Sequence, residues 1–380
     1  MAARRVTGNS VPSEVEKYRV LQEENEMKLK KQVVLGMTAA VAAAVTGCSS
    51  SGDTATNAAA EVTTAAETGE TTAEETEAET ETEAAETEAA GEEEAENEEN
   101  YDTGDASLDN SRNQDEIGES ELLVASFGTS YNDNRRLTIG AIEEAMEAAF
   151  PDYSVRRGFT SQIIIDHVKD RDGEVIDNMT EAFNRAIDNG VKILVIQPTH
   201  LMDGLEYSDV VNEAAEFSDS FEKIAIGRPL LDTDADFEAV IKAITEATAE
   251  YDDGETAICF MGHGTEAESN QVYGKMQDML TAAGYENYFV GTVEAEPGLE
   301  DMLAAVGEGS YKKAVLLPLM IVAGDHANND MAGDDEGTWK TEFEAAGYEV
   351  TCMLNGLGEL EAIQQLFVEH ARAAMDSLAE

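Results

Sequence analysis

The sequence predicts an α/β protein with two similar lobes, each a parallel sheet flanked by helices, and a cleft between them. Two observations support this prediction. Apolar runs of strand length alternate with longer amphipathic stretches from residue 121 onward, and the first half of that region is echoed in the second. Strands that alternate with helices pair in parallel, because each helix returns the chain to the same edge of the sheet. Ligand groups are therefore expected at the carboxyl ends of the strands.

Residues 121–252 form the predicted first lobe. Short aliphatic runs predict its strands, and longer segments with apolar residues at helical spacing predict its helices. Gly190 stands where the second helix is expected to stop. In chain order, the predicted elements are strand 122–127, helix 137–150, strand 154–159, helix 175–187, strand 191–196, helix 207–217, strand 223–226 and helix 237–250.

Residues 253–380 form the predicted second lobe, by the same reasoning. Gly284 and Gly347 follow two of its helices, as expected for residues that end a helix. The predicted elements are strand 256–261, helix 272–283, strand 288–290, helix 298–306, strand 312–317, helix 339–346, strand 349–354 and helix 360–375.

An internal echo supports the idea of two copies of one unit. LLVASFGTS at 122–130 matches ICFMGHGTE at 258–266, and IQPTHLMDGLE at 196–206 matches LPLMIVAGDH at 317–326. In both pairs an apolar strand runs into a glycine-containing loop. Two such units that face each other enclose a cleft between the carboxyl ends of their sheets.

Residues 1–47 are predicted to be a signal-peptide region, with the signal proper at 27–47. Lys28, Lys30 and Lys31 precede an apolar stretch of about fifteen residues, shorter than the roughly twenty that cross a bilayer as a helix. The sequence V-T-G-C that ends at Cys48 is typical of lipoprotein cleavage. We expect export, lipidation of Cys48 and an extracytoplasmic protein anchored at the cell membrane. An uncleaved amino-terminal membrane anchor stays open as an alternative. The initiator residue also stays open between Met1 and Met27.

Residues 48–120 are predicted to be an acidic disordered tether. Their Thr, Ala and Glu repeats show no hydrophobic period, so they cannot bury a core. The whole chain of 380 residues has a formal net charge of −56. This acidity argues against nucleic acid as a partner, because no basic stripe is present to neutralise phosphates.

Three strand ends of the second lobe each carry one residue of a metal-ligating type: His263, Glu294 and His326. Successive strand ends lie about 5 Å apart, so the three can converge on one ion. Two imidazoles and a carboxylate suit Co(II), Fe(II), Ni(II) or Zn(II) and leave part of the coordination sphere open. The polar loop around His326, 322–335, has a second interpretation, an acidic solvated loop that contains a histidine.

Several motifs together resemble the anaerobic sirohydrochlorin cobaltochelatases of the class II chelatase superfamily. The resemblance covers residues 121–375. The matching motifs are FGTS at 127–130, FTS at 159–161, RDG at 171–173, H-x-x-x-G-x-E-Y at 200–207, MGHG at 261–264, G-x-V-E at 291–294, PLM-x-VAGDHA-x-NDMA at 318–332 and GLGE at 356–359.

The resemblance implies insertion of Co(II), with Fe(II) or Ni(II) as other metals, into sirohydrochlorin in anaerobic cobalamin biosynthesis. It implies metal binding by His263, Glu294 and His326, and acceptance of pyrrole protons by one of the two histidines. Two departures stand out. The stretch after MGHGT lacks the further histidine common in the family, and corrin synthesis is cytoplasmic whereas this chain carries an export signal. An extracytoplasmic tetrapyrrole (haem-like) or metal-binding lipoprotein without turnover is therefore the alternative function.

Other residues are candidates for contact with the tetrapyrrole. His200 and Glu206 lie in the first-lobe equivalent of the His326 loop; they either face the tetrapyrrole across the cleft or are a structural loop histidine and a helix-starting glutamate. Arg135 and Arg136 are candidate partners for substrate carboxylates. So are Arg156 and Arg157.

The remaining cysteines and histidines are predicted to be structural. Cys259 and Cys352 lie in apolar strand-like runs and are expected to be buried free thiols. His167 and His370 are expected on helices. The expected partners are thus a tetrapyrrole, a divalent metal and, through the lipid alone, a membrane, while the oligomeric state stays open, with a homo-oligomer included.

Overall fold

A computed structural model describes residues 103–115 and 117–379. The predicted signal peptide, the lipidation site Cys48 and the tether up to residue 102 lie outside these residues. Among the described residues, none of the helices combines the length and the apolar character needed to span a membrane.

Two four-stranded parallel sheets form the centre of the protein. Their strand orders are β2-β1-β3-β4 and β6-β5-β7-β8, so the second sheet repeats the topology of the first. The strands are β1 Ser120–Ser126, β2 Ser154–Phe159, β3 Ile193–Pro198, β4 Lys223–Ile226, β5 Thr256–Gly262, β6 Tyr288–Thr292, β7 Lys313–Pro318 and β8 Glu349–Cys352.

The register of the central strands confirms the internal echo in the sequence. Ala125 of β1 lies opposite Pro198 of β3, and Met261 of β5 lies opposite Pro318 of β7. These four residues occupy equivalent positions in the two echoed segments. The predicted α/β class and the two similar parallel-sheet units are therefore confirmed.

The helices follow the predicted order with three differences. The observed helix over 162–172 was not predicted, and the helix predicted over 175–187 begins at residue 179. The helix predicted over 137–150 is α-helical only over 141–149, and a short helix over 132–135 and a π-helical turn over 136–140 precede it. The helices are α1 Asn132–Arg135, α2 Ala141–Ala149, α3 Gln162–Asp172, α4 Met179–Asp188, α5 Leu205–Phe217, α6 Asp234–Ala247, α7 Gln271–Ala282, α8 Leu299–Gly307, α9 Trp339–Ala345 and α10 Glu361–Ser377.

Local signals explain these differences. Helix α3 has no apolar residue after Val168, so its helical period is weak, but Ser161 caps its start and Gly173 ends it in a left-handed conformation. Helix α4 begins after Asn178, which forms a capping box with Glu181. Between α1 and α2 the chain makes one π-helical turn, Arg136–Gly140.

The largest hydrophobic core joins the two sheets. It contains Leu122 and Val124 of β1 together with Ile258 and Phe260 of β5. Helix α10, which comes from the second half of the sequence, packs against α2, β3 and β4 of the first half. The predicted boundary between residues 252 and 253 therefore divides the sequence into repeats but does not divide this core.

Residues 103–115, which we call the strap, correct one prediction. They fall within the predicted disordered tether, yet they pack against the first sheet and its helices. Asp109 is ion-paired with Arg135 and Arg157 at N–O distances of 2.7 Å, and Arg112 is 5% exposed and pairs with Glu143. The strap is fixed on the domain because its charged side chains pair with buried charges of the domain. Amino-acid composition alone does not show such pairing.

Candidate functional site

Two imidazoles meet at the carboxyl edge of the second sheet. His263 directly follows β5 and is exposed, and His326 lies in the loop after β7, immediately before the π-helical turn Ala327–Met331. Because β5 and β7 are neighbours, their ends bring the two rings together, with centroids 4.8 Å apart and ring planes at 77°. The predicted convergence of these two strand ends is observed.

Each ring is oriented by an acceptor at Nδ1. His263 Nδ1 lies 2.8 Å from the carbonyl oxygen of Gly264, and His326 Nδ1 lies 2.7 Å from Asp330 Oδ2. A carbonyl and a carboxylate oxygen only accept hydrogen bonds, so Nδ1 carries the proton in both rings and donates. This tautomer makes Nε2 the ligand nitrogen, the arrangement that orients histidine toward metal ions in proteins.

Glu294 is tied to the same edge through its backbone. Its N–H donates to the carbonyl oxygen of His263 at 2.8 Å, one residue after Val293 makes the same type of bond to Gly262. Its side chain is exposed. In the part of the chain described here, no three His, Cys, Asp or Glu side chains are grouped to hold one ion. The structure therefore joins the two histidines but leaves the Glu294 carboxylate apart from them.

The first lobe contacts the His326 loop directly. A methyl group added at Gly324 would lie 3.3 Å from Thr129 Oγ1, and the N–H of Ala323 donates to Asn134 Oδ1 at 2.8 Å. The loop after β1 and helix α1 thus hold the segment that leads to His326. Sequence reasoning missed Asn134, although it lies only a few residues beyond the FGTS motif.

The first lobe also meets the segment after His263. A methyl group added at Gly204 would lie 3.6 Å from Ser269 Oγ, and the hydroxyl of Tyr273 accepts the N–H of Gly264 at 3.3 Å. Burial raises the pKa of Tyr273 to about 12, and the charge of Glu206 adds to this rise. Glu206 of α5 therefore lies within electrostatic reach of the residues that support His263.

His200 stands in the loop after β3, between these contacts. Both of its ring nitrogens are buried and make no hydrogen bond. Burial lowers the pKa of His200 to about 4, with the charge of Glu206 opposing the shift. The imidazole is therefore neutral at pH 7. An unpaired buried donor and acceptor in one ring is unusual, and it singles out His200 for a role other than packing.

Burial contradicts the prediction that Arg135 binds a substrate carboxylate. Its side chain is fully buried and donates to Asp109, to the carbonyl oxygen of Thr129 and to Asn132. Arg156 and Arg157 are likewise buried, 2% and 0% exposed, and held in internal ion pairs. These guanidinium groups serve the fold because they hold the strap.

Arg136 differs from these three arginines. Its side chain is 36% exposed and forms a surface ion pair with Asp133 at 3.4 Å. Its predicted contact with the substrate stays a prediction.

The other predicted structural residues behave as expected, except that Cys352 is less buried than predicted. Cys259 is a buried free thiol whose pKa is raised by burial, and Cys352 is free but half-buried. His370 is buried and lies 3.0 Å from Asp236, so it serves the packing of α10. His167 lies on α3.

Comparisons with known proteins agree with this arrangement. The family model "Cobalt chelatase (CbiK)" matches residues 120–376. The sirohydrochlorin cobaltochelatase of Salmonella typhimurium is 36% identical over 259 residues, which cover 68% of this chain and 97% of that protein. The sirohydrochlorin cobaltochelatase CbiKC of Nitratidesulfovibrio vulgaris is 29% identical over 259 residues, 68% of this chain and 91% of that protein.

A solved structure of SirB from Bacillus subtilis with Fe3+ aligns with a TM-score of 0.49 and 11% identity, covering 69% of this chain and 98% of that one. The extent of the family match decides the assignment, since it spans both sheets and both histidine loops. The chain belongs to the cobalt chelatase family.

Proposed function

We propose that this protein is a sirohydrochlorin cobaltochelatase, which inserts Co(II) into sirohydrochlorin. The observation that carries the proposal is the pair of imidazoles, 4.8 Å apart and each fixed by an acceptor at Nδ1, at the open edge of the second sheet. Membership of the cobalt chelatase family and the printed names of two relatives supply the substrate.

In the proposed reaction, His263 and His326 present Nε2 to Co(II), and Glu294 provides a carboxylate as the ion is taken up. Few protein ligands hold the metal, so the tetrapyrrole nitrogens can replace them one at a time. One Co(II) ion replaces two pyrrole protons. A histidine that has released the metal can accept each proton in turn and pass it to solvent, since its basicity matches neutral pH. The acidic chain also attracts divalent cations.

The remaining parts of the proposal concern the choice of metal, the contacts with the tetrapyrrole and the cellular location of the protein. We assign Co(II) as the metal, with Fe(II) and Ni(II) as competitors, and His200, Glu206 and Arg136 as contacts of the tetrapyrrole from the first lobe. We further propose that the protein is an extracytoplasmic lipoprotein anchored through Cys48. Metabolic labelling with a fatty acid tests the anchor, and label retained by a Cys48→Ala protein would refute it.

The test of the function is an absorbance time course with purified full-length protein, sirohydrochlorin and Co(II). Wild type should accelerate the spectral change of metalation over many turnovers. His263→Ala and His326→Ala should each lower the rate at least about 100-fold, in the range typical of a lost acid or base. His167→Ala, a histidine change on α3, serves as the matched control and should act like wild type.

Two outcomes would contradict the proposal. Equal rates for wild type and both variants would exclude the paired histidines as the reacting groups. Tight binding of sirohydrochlorin or Co(II) without turnover would identify a carrier that has kept the site.

A further inference from the structure

Two large apolar side chains are exposed at the carboxyl edge of the first sheet. Phe127 is 46% exposed and Leu205 is 54% exposed. Five other large apolar side chains of the described residues are also exposed, so exposure alone does not mark a site; the position of Phe127 and Leu205 at the edge that faces the histidine loops does.

The turn next to Phe127 lies close against the core. Gly128 has a φ of +107°, and a Cβ added there would lie 2.6 Å from the ring of Phe159. Phe159 is fully buried and already fills the space beneath this turn. The turn that carries Phe127 is therefore packed on Phe159, while the side chain of Phe127 itself is left 46% exposed.

Both residues border the loops that carry the paired histidines. Phe127 lies two residues before Thr129, which contacts Gly324 of the His326 loop. Leu205 follows Gly204, which faces Ser269 in the segment after His263. Strands β1 and β3 are neighbours, so both residues lie at the same edge of the first sheet.

The charges of the protein explain why apolar contacts are needed there. The tetrapyrrole carries peripheral carboxylates, and the chain has a net charge of −56. The buried arginines 135, 156 and 157 are occupied by internal ion pairs. Of the four candidate arginines only Arg136 is partly exposed, so charge attraction contributes little to holding the ring, and burial of its flat conjugated face supplies most of the affinity.

We propose that Phe127 and Leu205 are the apolar contacts of the first lobe with the macrocycle, beside the polar contacts assigned above, and that they position the tetrapyrrole face over the metal held by the second lobe. The inference rests on the proposed function and deepens it. It divides the work of the cleft: the second lobe presents the histidines, and the first lobe holds the ring. Aromatic stacking suits Phe127, and an aliphatic contact suits Leu205.

The experiment titrates metal-free sirohydrochlorin into metal-free full-length protein and follows the absorbance of the tetrapyrrole. Phe127→Ala and Leu205→Ala should each weaken binding, by about tenfold for the phenylalanine, whose ring buries more area. Phe127→Tyr keeps a stacking ring and should stay within about threefold of wild type. Co(II) binding without tetrapyrrole should be unchanged in all three variants.

Ile187→Ala is the matched control. Ile187 is 36% exposed, but it lies near the end of α4, the helix that leads to the start of β3 and hence to the opposite edge of the sheet. Loss of this side chain should leave tetrapyrrole binding unchanged. Circular dichroism of each variant checks folding, and Phe127→Tyr keeps the test valid if Phe127→Ala fails to fold.

The outcomes separate this inference from the proposed function. If wild type binds and metalates the tetrapyrrole and the alanine variants bind it equally well, the inference is wrong and the proposed function stands. If wild type does not bind the tetrapyrrole, both fail. If the alanine variants change only the molecular mass measured by light scattering, the two residues form a contact between copies of the chain and the inference is wrong.

Discussion

Asp330 decides which nitrogen of His326 can bind a metal ion. Its Oδ2 lies 2.7 Å from His326 Nδ1, so it fixes both the tautomer and the orientation of the ring. Asp330→Ala should weaken Co(II) binding by roughly 10- to 100-fold, as loss of such a partner typically does. Calorimetric titration with Co(II) measures the change.

Two further variants give this prediction its controls. Asp330→Asn keeps an acceptor oxygen and should give an intermediate affinity. Asp334→Ala removes a carboxylate that is 91% exposed and paired with Lys340, so it should bind Co(II) like wild type. Equal affinities for Asp330→Ala and wild type would show that the hydrogen bond does not orient a ligand.

Glu121 produces a pH dependence of stability that can be isolated. It is 1% exposed at the start of β1, and burial raises its pKa from 4.5 to about 7. The folded state thus binds more protons than the unfolded state between these values, and the free energy of unfolding falls as the pH rises from 4.5 to 7. The loss amounts to about 3 kcal/mol.

Glu121→Gln should remove this loss, and urea unfolding of both proteins from pH 4.5 to 8 measures it. The stability of the variant relative to wild type should rise with pH up to about 7 and then stay constant. His200 acts in the opposite direction: its pKa of about 4 destabilises the fold as the pH falls below 6.5. A difference between variant and wild type that does not vary with pH would show that Glu121 ionises normally.

For single residues, the sequence predicts position and role well when the residue directly follows a strand. It predicts them poorly when the partner of the residue is distant in the chain. His263 and His326 were predicted together because neighbouring strands must end at one edge. Arg135 was assigned wrongly because its partner Asp109 lies 26 residues away in a segment without a hydrophobic pattern. The position of the Glu294 side chain depends on a loop conformation that spacing does not determine.

At the scale of elements, the strap (residues 103–115) belongs to the folded domain. The Asp109 carboxylate lies between two buried guanidinium groups, which hold its pKa well below its usual range. Asp109→Ala should lower the free energy of unfolding by roughly 3–5 kcal/mol, because it leaves buried positive charge without its partner. Thermal or urea unfolding of the full chain measures the effect.

Asp115→Ala is the matched control for this prediction. Asp115 also lies in the strap and pairs with Arg185, but it is 65% exposed. Its loss should cost less than about 1 kcal/mol, as is usual for a surface pair. Similar effects of the two variants would mean that the strap contributes no buried charge pairing.

Helices and strands with a strong hydrophobic period were predicted from the sequence. Helices and turns that depend on capping residues or local distortions were not. Helix α3 has a capping serine and a terminal glycine, yet half of its length is charged. The π-helical turns at Arg136–Gly140 and Ala327–Met331 interrupt a regular period. Such turns are frequent at functional sites, and here one begins immediately after His326.

At the scale of the molecule, the repeat in the sequence predicted two units, but the structure joins them. Strands β1 and β5 contribute to one core, and α10 returns from the second repeat to pack on the first. Helices α6 and α7, one from each repeat, also contact each other. Each repeat also has a core of its own, but the largest core needs residues of both, so we expect the two to unfold as one cooperative unit.

Trp339 allows this expectation to be tested, since it is the only tryptophan in the chain. It is 3% exposed in a core of the second lobe with Cys259, Met302 and Phe343. In urea, Trp339 fluorescence and far-ultraviolet circular dichroism should give the same midpoint, because the fluorescence reports one lobe and the dichroism reports both.

Phe367→Ala tests the same expectation by a change in the core that the two sheets share. Phe367 of α10 is fully buried in the core shared by the two sheets, apart from the core around Trp339. Its truncation should cost roughly 3–5 kcal/mol. Because unfolding is cooperative, both signals should move to the same lower midpoint. A dichroism change at lower urea with an unchanged Trp339 transition would show that the lobes unfold separately, and that the second lobe keeps its fold without the first.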